Sequence, residues 1–190
     1  MSNLVKINPI GLDAVIHDIQ VSMYALKDKW GVDLNGYPRC YILQKKNDKD
    51  QLVKTIEAFI GNKEYTGTLI FAEENKFFFV AGEKEIQVSR PFQYQTTIEL
   101  YFMLNTKECY PNIQHKADLE VRTDVVNALS KISSINKVDI EANGDKVFNR
   151  FNNRISQNYE YEYTDGMDDY HYFKCIIELL PYNINKQICN

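Results

Sequence analysis

Glycine (8) and proline (5) are scarce in this 190-residue chain, tryptophan occurs once, and the four cysteines never stand as a CxxC pair. Scarce Gly and Pro exclude a disordered or linker-built protein, which accumulates both. Cys40, Cys109, Cys175 and Cys189 are too scattered for a structural zinc site, whose ligands come in close pairs. His171 does precede Cys175 by four positions, but on a strand that spacing leaves them roughly 13 Å apart along one face. Reduced, partly buried thiols and no metal or other cofactor are therefore expected. No apolar run approaches the roughly 18–20 residues that cross a bilayer. The opening "MSNLVKINPIGLD" has no long apolar stretch of the kind that directs secretion, so synthesis in the cytoplasm and no membrane partner are expected. The glycines stand singly, with neither GxGxxG nor GxxxxGK to cradle a phosphate, and no GxSxG elbow occurs. A net charge of −4 has the wrong sign for a general nucleic-acid binder, so no sequence-specific nucleic-acid partner is expected.

Apolar residues make up 44% and charged residues 25%, the balance of an ordinary globular protein with material for one core. A single domain, 1–190, is expected. Residues 12–30 carry the clearest period: Leu12, Val15, Ile16, Ile19, Met23, Leu26 and Trp30 fall on one helical stripe, and Gly31 suits its C-terminal cap. Ala14, Val21 and Ala25 fall on the opposite side, where a solvated helix carries charge; they read either as incidental small residues or as a second contact face against a loop or a neighbouring subunit. "RCYILQ" reads as a strand and "KKNDKDQ" (45–51) as a solvated loop. Leu52, Val53, Ile56, Phe59 and Ile60 follow helical spacing up to Gly61, which predicts a short second helix.

The period then changes to two. "EYTGTLIFA" and "KFFFVAG" flank "EEN" as a predicted hairpin, and "KEIQVS" as a further short strand. "FQYQTTIELYFMLN" is the longest predicted strand, with Ile98, Leu100, Phe102 and Leu104 on one face. Thr97, Glu99, Tyr101 and Met103 lie on the other, a mixed face expected to be only partly covered. A helix over 118–132 buries Val121, Val125, Ala128, Leu129 and Ile132, with Asp118 as its expected N-cap. "KVDIEAN" allows a strand; Val147, Phe148, Phe151 and Ile155 suggest a helix at 145–156. "NYEYEYTDGMDDYHYFKCIIELL" reads as two strands around Asp165–Gly166, with Phe173, Cys175, Ile177 and Leu179 facing inward. Segregated helices on an antiparallel or mixed sheet define an α+β fold.

Three clusters raise the question of chemistry. Cys109 and His115 flank Pro111 in a polar loop, and an imidazole beside a thiol can generate a thiolate. That loop lacks an evident oxyanion donor, so a bend or contact surface is the preferred reading. "DGMDDYH" gathers Asp165, Asp168, Asp169 and His171, ligand types that suit Mg²⁺ or Mn²⁺, and carries the rival reading of a small metal-dependent nuclease. Acids beside Gly are also what a turn prefers. Arg150 and Arg154, at i and i+4 beside Phe148 and Phe151, offer either a grip on single-stranded nucleic acid, as in an accessory protein, or an ion pair between subunits.

The order "TTIELYFMLN", polar loop, "DLEVRTDVVNALSKI", then "YEYEY" to "YHYFKCIIEL" resembles the tail-terminator and neck-ring proteins of tailed bacteriophages. In that family a long strand leads through a loop into a helix with a "D…R.D…L" pattern, and a closing strand completes the sheet. Residues 96–180 carry most of the likeness; "GLDAVIHDIQVSMYALKDKW" is similar to the family's leading helix, and the helix expected at 145–156 departs from its order. The resemblance implies a structural virion protein of the neck or tail: a homo-oligomeric ring of six or twelve subunits, a tail terminator or head-to-tail connector contacting other neck and tail proteins. It implies no enzyme and no catalytic residues. A ring needs two different patches per subunit, for which Ala14, Val21, Ala25, Tyr101, Met103, Arg150 and Arg154 are the expected interface residues.

Overall fold

Leu12–Trp30 form α1, and Gly31 closes it in the left-handed conformation (φ 69°), its N–H reaching the Lys27 carbonyl at 2.8 Å. The computed structural model describes residues 9, 11–46, 49–50, 52–60, 63–68, 75–81, 87–90, 93–142 and 169–183. Within them the strands are β1 (Asn35–Lys46), β2 (Leu52–Ile60), β3 (Lys63–Thr68), β4 (Lys76–Ala81), β5 (Gln87–Arg90), β6 (Gln93–Gln95), β7 (Thr97–Asn105), β8 (Ile135–Glu141), β9 (Tyr170–Leu179) and β10 (Tyr182–Asn183). Two further helices are the single turn α2 (Thr106–Cys109) and α3 (Asp118–Leu129). The fold is α+β, built on a mixed sheet.

Seven strands form that sheet in the order β3-β2-β1-β4-β7-β9-β8, and β10-β6-β5 form a small second one. Every neighbouring pair is antiparallel except β1 and β4. A parallel pair cannot be joined by a tight turn, and here the connection runs out through β2 and β3 before returning to the other side of β1. The longest ladder joins β7 and β9, in register from Thr97↔Glu178 to Asn105↔Tyr170.

Helices α1 and α3 cover one face. Val15, Ile16, Ile19, Met23, Leu26 and Trp30 of α1 and Val121, Val125, Ala128 and Leu129 of α3 are buried against Phe77, Phe79, Ile98, Leu100, Phe102, Leu104, Phe173, Cys175, Ile177 and Leu179. Each large apolar side chain so buried contributes about 1.5–3 kcal/mol. Phe102 and Phe173 stack at 4.7 Å in the middle. The predicted inward rows of α1, α3, β7 and β9 are therefore the observed core.

Elsewhere the structure corrects the sequence reading. Residues 52–60 are strand β2 and not a helix: "LVKTIEAFI" is rich in β-branched residues, and β1 offers seven consecutive partners from Cys40↔Ala58 to Lys46↔Leu52. β3 and β4 do not form a hairpin, since β2 and β1 lie between them. The strand expected over 92–104 breaks at Thr96, leaving β6 in the small sheet and β7 in the large one. Asp118 is not the N-cap of α3. Ala117 holds that position without a side-chain bond, and Asp118 pairs with Arg122 at 3.1 Å. The helix expected at 145–156 and the first strand and turn of the late hairpin lie outside the described residues.

Gly36 marks a close approach of β1 to the core. A Cβ there would overlap the Phe77 ring and stand 2.8 Å from the Tyr24 hydroxyl, which accepts a hydrogen bond from Gly36 N at 3.1 Å. Gly36→Ala is expected to cost about 1–3 kcal/mol through overpacking, read from the urea midpoint. An unchanged midpoint would mean that the Phe77 ring yields freely.

Candidate functional site

The corner where β7 ends, β9 begins and α3 starts holds most of the polar chemistry, because the chain must turn there twice. Asn105 starts α2 by accepting from the N–H groups of Lys107 and Glu108, both at 3.1 Å. Asn75 braces it from the side: its Nδ2 donates to Glu108 Oε2 at 2.7 Å, and its Oδ1 accepts from Asn105 N at 2.6 Å. Just before β9, the Asp169 carbonyl accepts from both Thr106 N (2.8 Å) and Thr106 Oγ1 (2.9 Å), while the Asp169 carboxylate pairs with Lys107. The polar loop 105–117 is thus anchored at its first turn and exposes Pro111, Asn112, Gln114 and His115.

Asp124 ties this loop to both helices. Its carboxylate is buried and accepts from Lys29 Nζ at 2.5 Å, from Trp30 Nε1 at 2.9 Å, and from the Tyr110 hydroxyl. Burial raises its pKa, but the hydrogen bonds from Lys29, Tyr110 and Trp30 outweigh burial and hold it below the ordinary carboxylate value. The Tyr110 hydroxyl is pushed up to about 12 by burial and by Asp124.

Cys109 and His115 are not brought together as a nucleophile and base. Cys109 is buried, and burial followed by the charges of Glu108 and Asp124 pushes its thiol up to about 12, so it is no thiolate near neutrality. His115 points outward beside Glu120 Oε1 at 3.6 Å. Cys40 and Cys175 are likewise free and buried, with thiols raised by burial; Cys189 lies outside the described residues.

Of the proposed metal ligands, Asp165 and Asp168 lie outside the described residues, and Asp169 is engaged by Lys107. His171 is buried on the helix-covered face, its Nε2 without a hydrogen-bond partner among the described residues, and burial drives its pKa down to about 4. Among the described residues no three His, Cys, Asp or Glu side chains are grouped to hold a metal ion.

The expected interface residues divide. On α1, Val21 is 50% exposed, Ala25 is exposed and Ala14 half-buried, opposite the buried stripe. Tyr101 and Met103 are 1% and 2% exposed, so the chain itself buries the face on which they were expected to meet a neighbour. Arg150 and Arg154 lie outside the described residues. No helix among the described residues is long and apolar enough to cross a membrane.

That second face of the sheet carries charge the sequence reading passed over. Lys174 is 4% exposed, its Nζ 2.9 Å from Glu141 Oε2, 3.8 Å from Glu99 Oε1 and 5.8 Å from the Tyr101 ring centre. Lys174 sits between inward-facing Phe173 and Cys175, and strict alternation does place it on the other face; nothing local announces that this face too is buried. The Asp124 junction had a signal: it occupies a position on the shoulder of the Val121–Val125 stripe, where a carboxylate needs donors. No family model, curated protein or solved structure matches the chain.

Proposed function

We propose that this chain is a structural subunit of a homo-oligomeric ring at the neck or tail junction of a tailed bacteriophage, as a tail terminator or head-to-tail connector located in the virion. The supporting observation is the outer face of α1. Val21 is half exposed beside exposed Ala25 on a helix whose other side is fully committed to the core. Covering Val21 and Ala25 would remove apolar surface from water, and a neighbouring subunit in a closed ring is the cover proposed. The second patch that a head-to-tail ring requires is not the Tyr101–Met103 face. Leu119, 64% exposed at the start of α3, is an apolar side chain of the helix layer that serves instead. The anchored loop 105–117 presents polar side chains on a rigid base, which suits wet contacts to other neck and tail proteins.

The test is Val21→Glu, compared with the wild-type protein by light scattering and circular dichroism, with tail-tube protein added if the wild type is monomeric alone. The variant keeps its helix content, because the core stripe is untouched, and its association weakens roughly tenfold or more, about 1.4 kcal/mol. A carboxylate at a closing apolar contact must be desolvated without a partner. Normal assembly by Val21→Glu would remove this face from the ring, and unfolding would assign it to the subunit's own core.

A further inference from the structure

We propose that His171 is an acid-sensitive latch: protonation of its imidazole opens the corner formed by the start of β9, α3 and loop 105–117, while the β7–β9 ladder beyond it stays closed. The latch reading holds whether or not the chain forms rings.

His171 is 8% exposed and lies on the helix-covered face of β9, opposite Leu104 in the ladder and stacked on Phe173 at 5.2 Å. Its Nε2 is sealed from solvent and, among the described residues, meets no hydrogen-bond partner. A neutral imidazole tolerates this; an imidazolium must place a charged N–H there with nothing to accept it. The charged groups that act on it are Arg122 and Asp118 from α3 and Lys116 from the segment before it, two cations and one anion. Asp118 is already held by Arg122 at 3.1 Å, and Leu104 and Phe173 offer no acceptor side chain. Relief comes from moving the imidazole out to water.

The movement is local because the corner and the ladder are held differently. At its outer end the corner is held by polar ties, Thr106 and Lys107 to Asp169, while α3 from Val121 onward is packed into the core. On its core side the ladder from Leu104 back to Ile98 is closed by Leu104, Phe102, Leu100 and Ile98, each no more than 1% exposed. Polar, partly solvated ties are those that open at low free-energy cost.

The sign follows from burial, which lowers the pKa of His171 from its ordinary 6.5 to about 4, with Arg122 and Lys116 adding to the shift. The opened form binds the proton more readily, so closure is fully favoured above pH 6.5 and is lost as pH falls from there toward 4.

Amide hydrogen exchange on the full chain tests this, with rates corrected for the intrinsic pH dependence. Between pH 7 and pH 5 the protection of residues 106–122 is expected to fall about tenfold or more, while that of 98–103 holds. His171→Phe, which keeps the stack and cannot titrate, is expected to abolish the difference. The same loss in His171→Phe, or simultaneous loss across 98–103, overturns the latch. Should His171→Phe fail to fold, the imidazole C–H shifts of the wild type decide: a titration midpoint well below 6.5 supports the proposal, and one at or above 6.5 overturns it.

Discussion

Asp124→Ala is expected to destabilise the protein by about 3–5 kcal/mol, the range for breaking a buried, hydrogen-bonded charge cluster by removing its acceptor. The carboxylate satisfies the indole N–H of Trp30 and the hydroxyl of Tyr110, and Lys29 closes the site from the solvent side. Trp30 is itself 5% exposed, so removing the acceptor leaves its N–H buried and unpaired. Trp30 is also the sole tryptophan, so urea unfolding followed by its emission reads the site directly. Asp124→Asn keeps an acceptor oxygen and should fall between the wild type and Asp124→Ala. Tyr110→Phe removes one donor without orphaning a group and should cost about 1 kcal/mol. Because the Asp124 carboxyl is held below its ordinary value, its contribution is present above that value and fades as pH falls through it. The gap between wild type and Asp124→Ala should therefore narrow in acid. A gap below 1 kcal/mol at pH 7 would mean that water replaces the carboxylate at no cost.

Asp124 also shows where sequence reasoning stops. The inward rows of α1, β7, α3 and β9 were legible because a one-sided pattern of period 3.6 or 2 survives any detail of topology. What a row packs against is not local. β2 shows the limit: Leu52, Val53, Ile56, Phe59 and Ile60 satisfy a helical period, and only the presence of β1 as a partner makes them a strand. The parallel pairing of β1 with β4 is similarly invisible, since nothing in "KFFFVA" distinguishes a hairpin partner from a strand inserted beyond it. Burial of Tyr101 and Met103 depends on what lies over the second face, and alternation alone makes both faces of β7 equally plausible as the covered one. For the site, the two-sided character of α1 was readable from Ala14, Val21 and Ala25. In the junction of Trp30, Tyr110 and Asp124, Trp30 stands 80 or more positions from both partners, and the junction needs the antiparallel crossing of α1 and α3 to exist.

The charged row across the second face supplies the other large effect. In register, Phe78, Tyr101, Lys174 and Glu141 lie side by side on β4, β7, β9 and β8. Phe78 stacks on Tyr101 at 5.1 Å, the Tyr101 hydroxyl donates to Glu99 Oε2 at 2.6 Å, and Lys174 bridges Glu99 and Glu141. Lys174→Met preserves the length of the side chain and its packing while removing the charge, so the loss it causes reports electrostatics more than volume. The substitution removes the cation that bridges Glu99 and Glu141, whose side chains are only 16% and 29% exposed. A loss of about 2–4 kcal/mol is expected, below the full value for a sealed pair because Glu141 keeps some access to water. Adding Glu141→Gln should restore part of it, since one of the two carboxylates that shared Lys174 is neutralised; a coupling of about 1 kcal/mol or more between the two substitutions is the expected result of the cycle. If the two changes add without coupling, Lys174 acts through its stem and the Tyr101 face alone. The comparison matters for the sheet as a whole, because this row links β4 to β8 across the strands that carry the core, and neutralising both charges separates the need for an ion pair from the need to fill the space between β7 and β8.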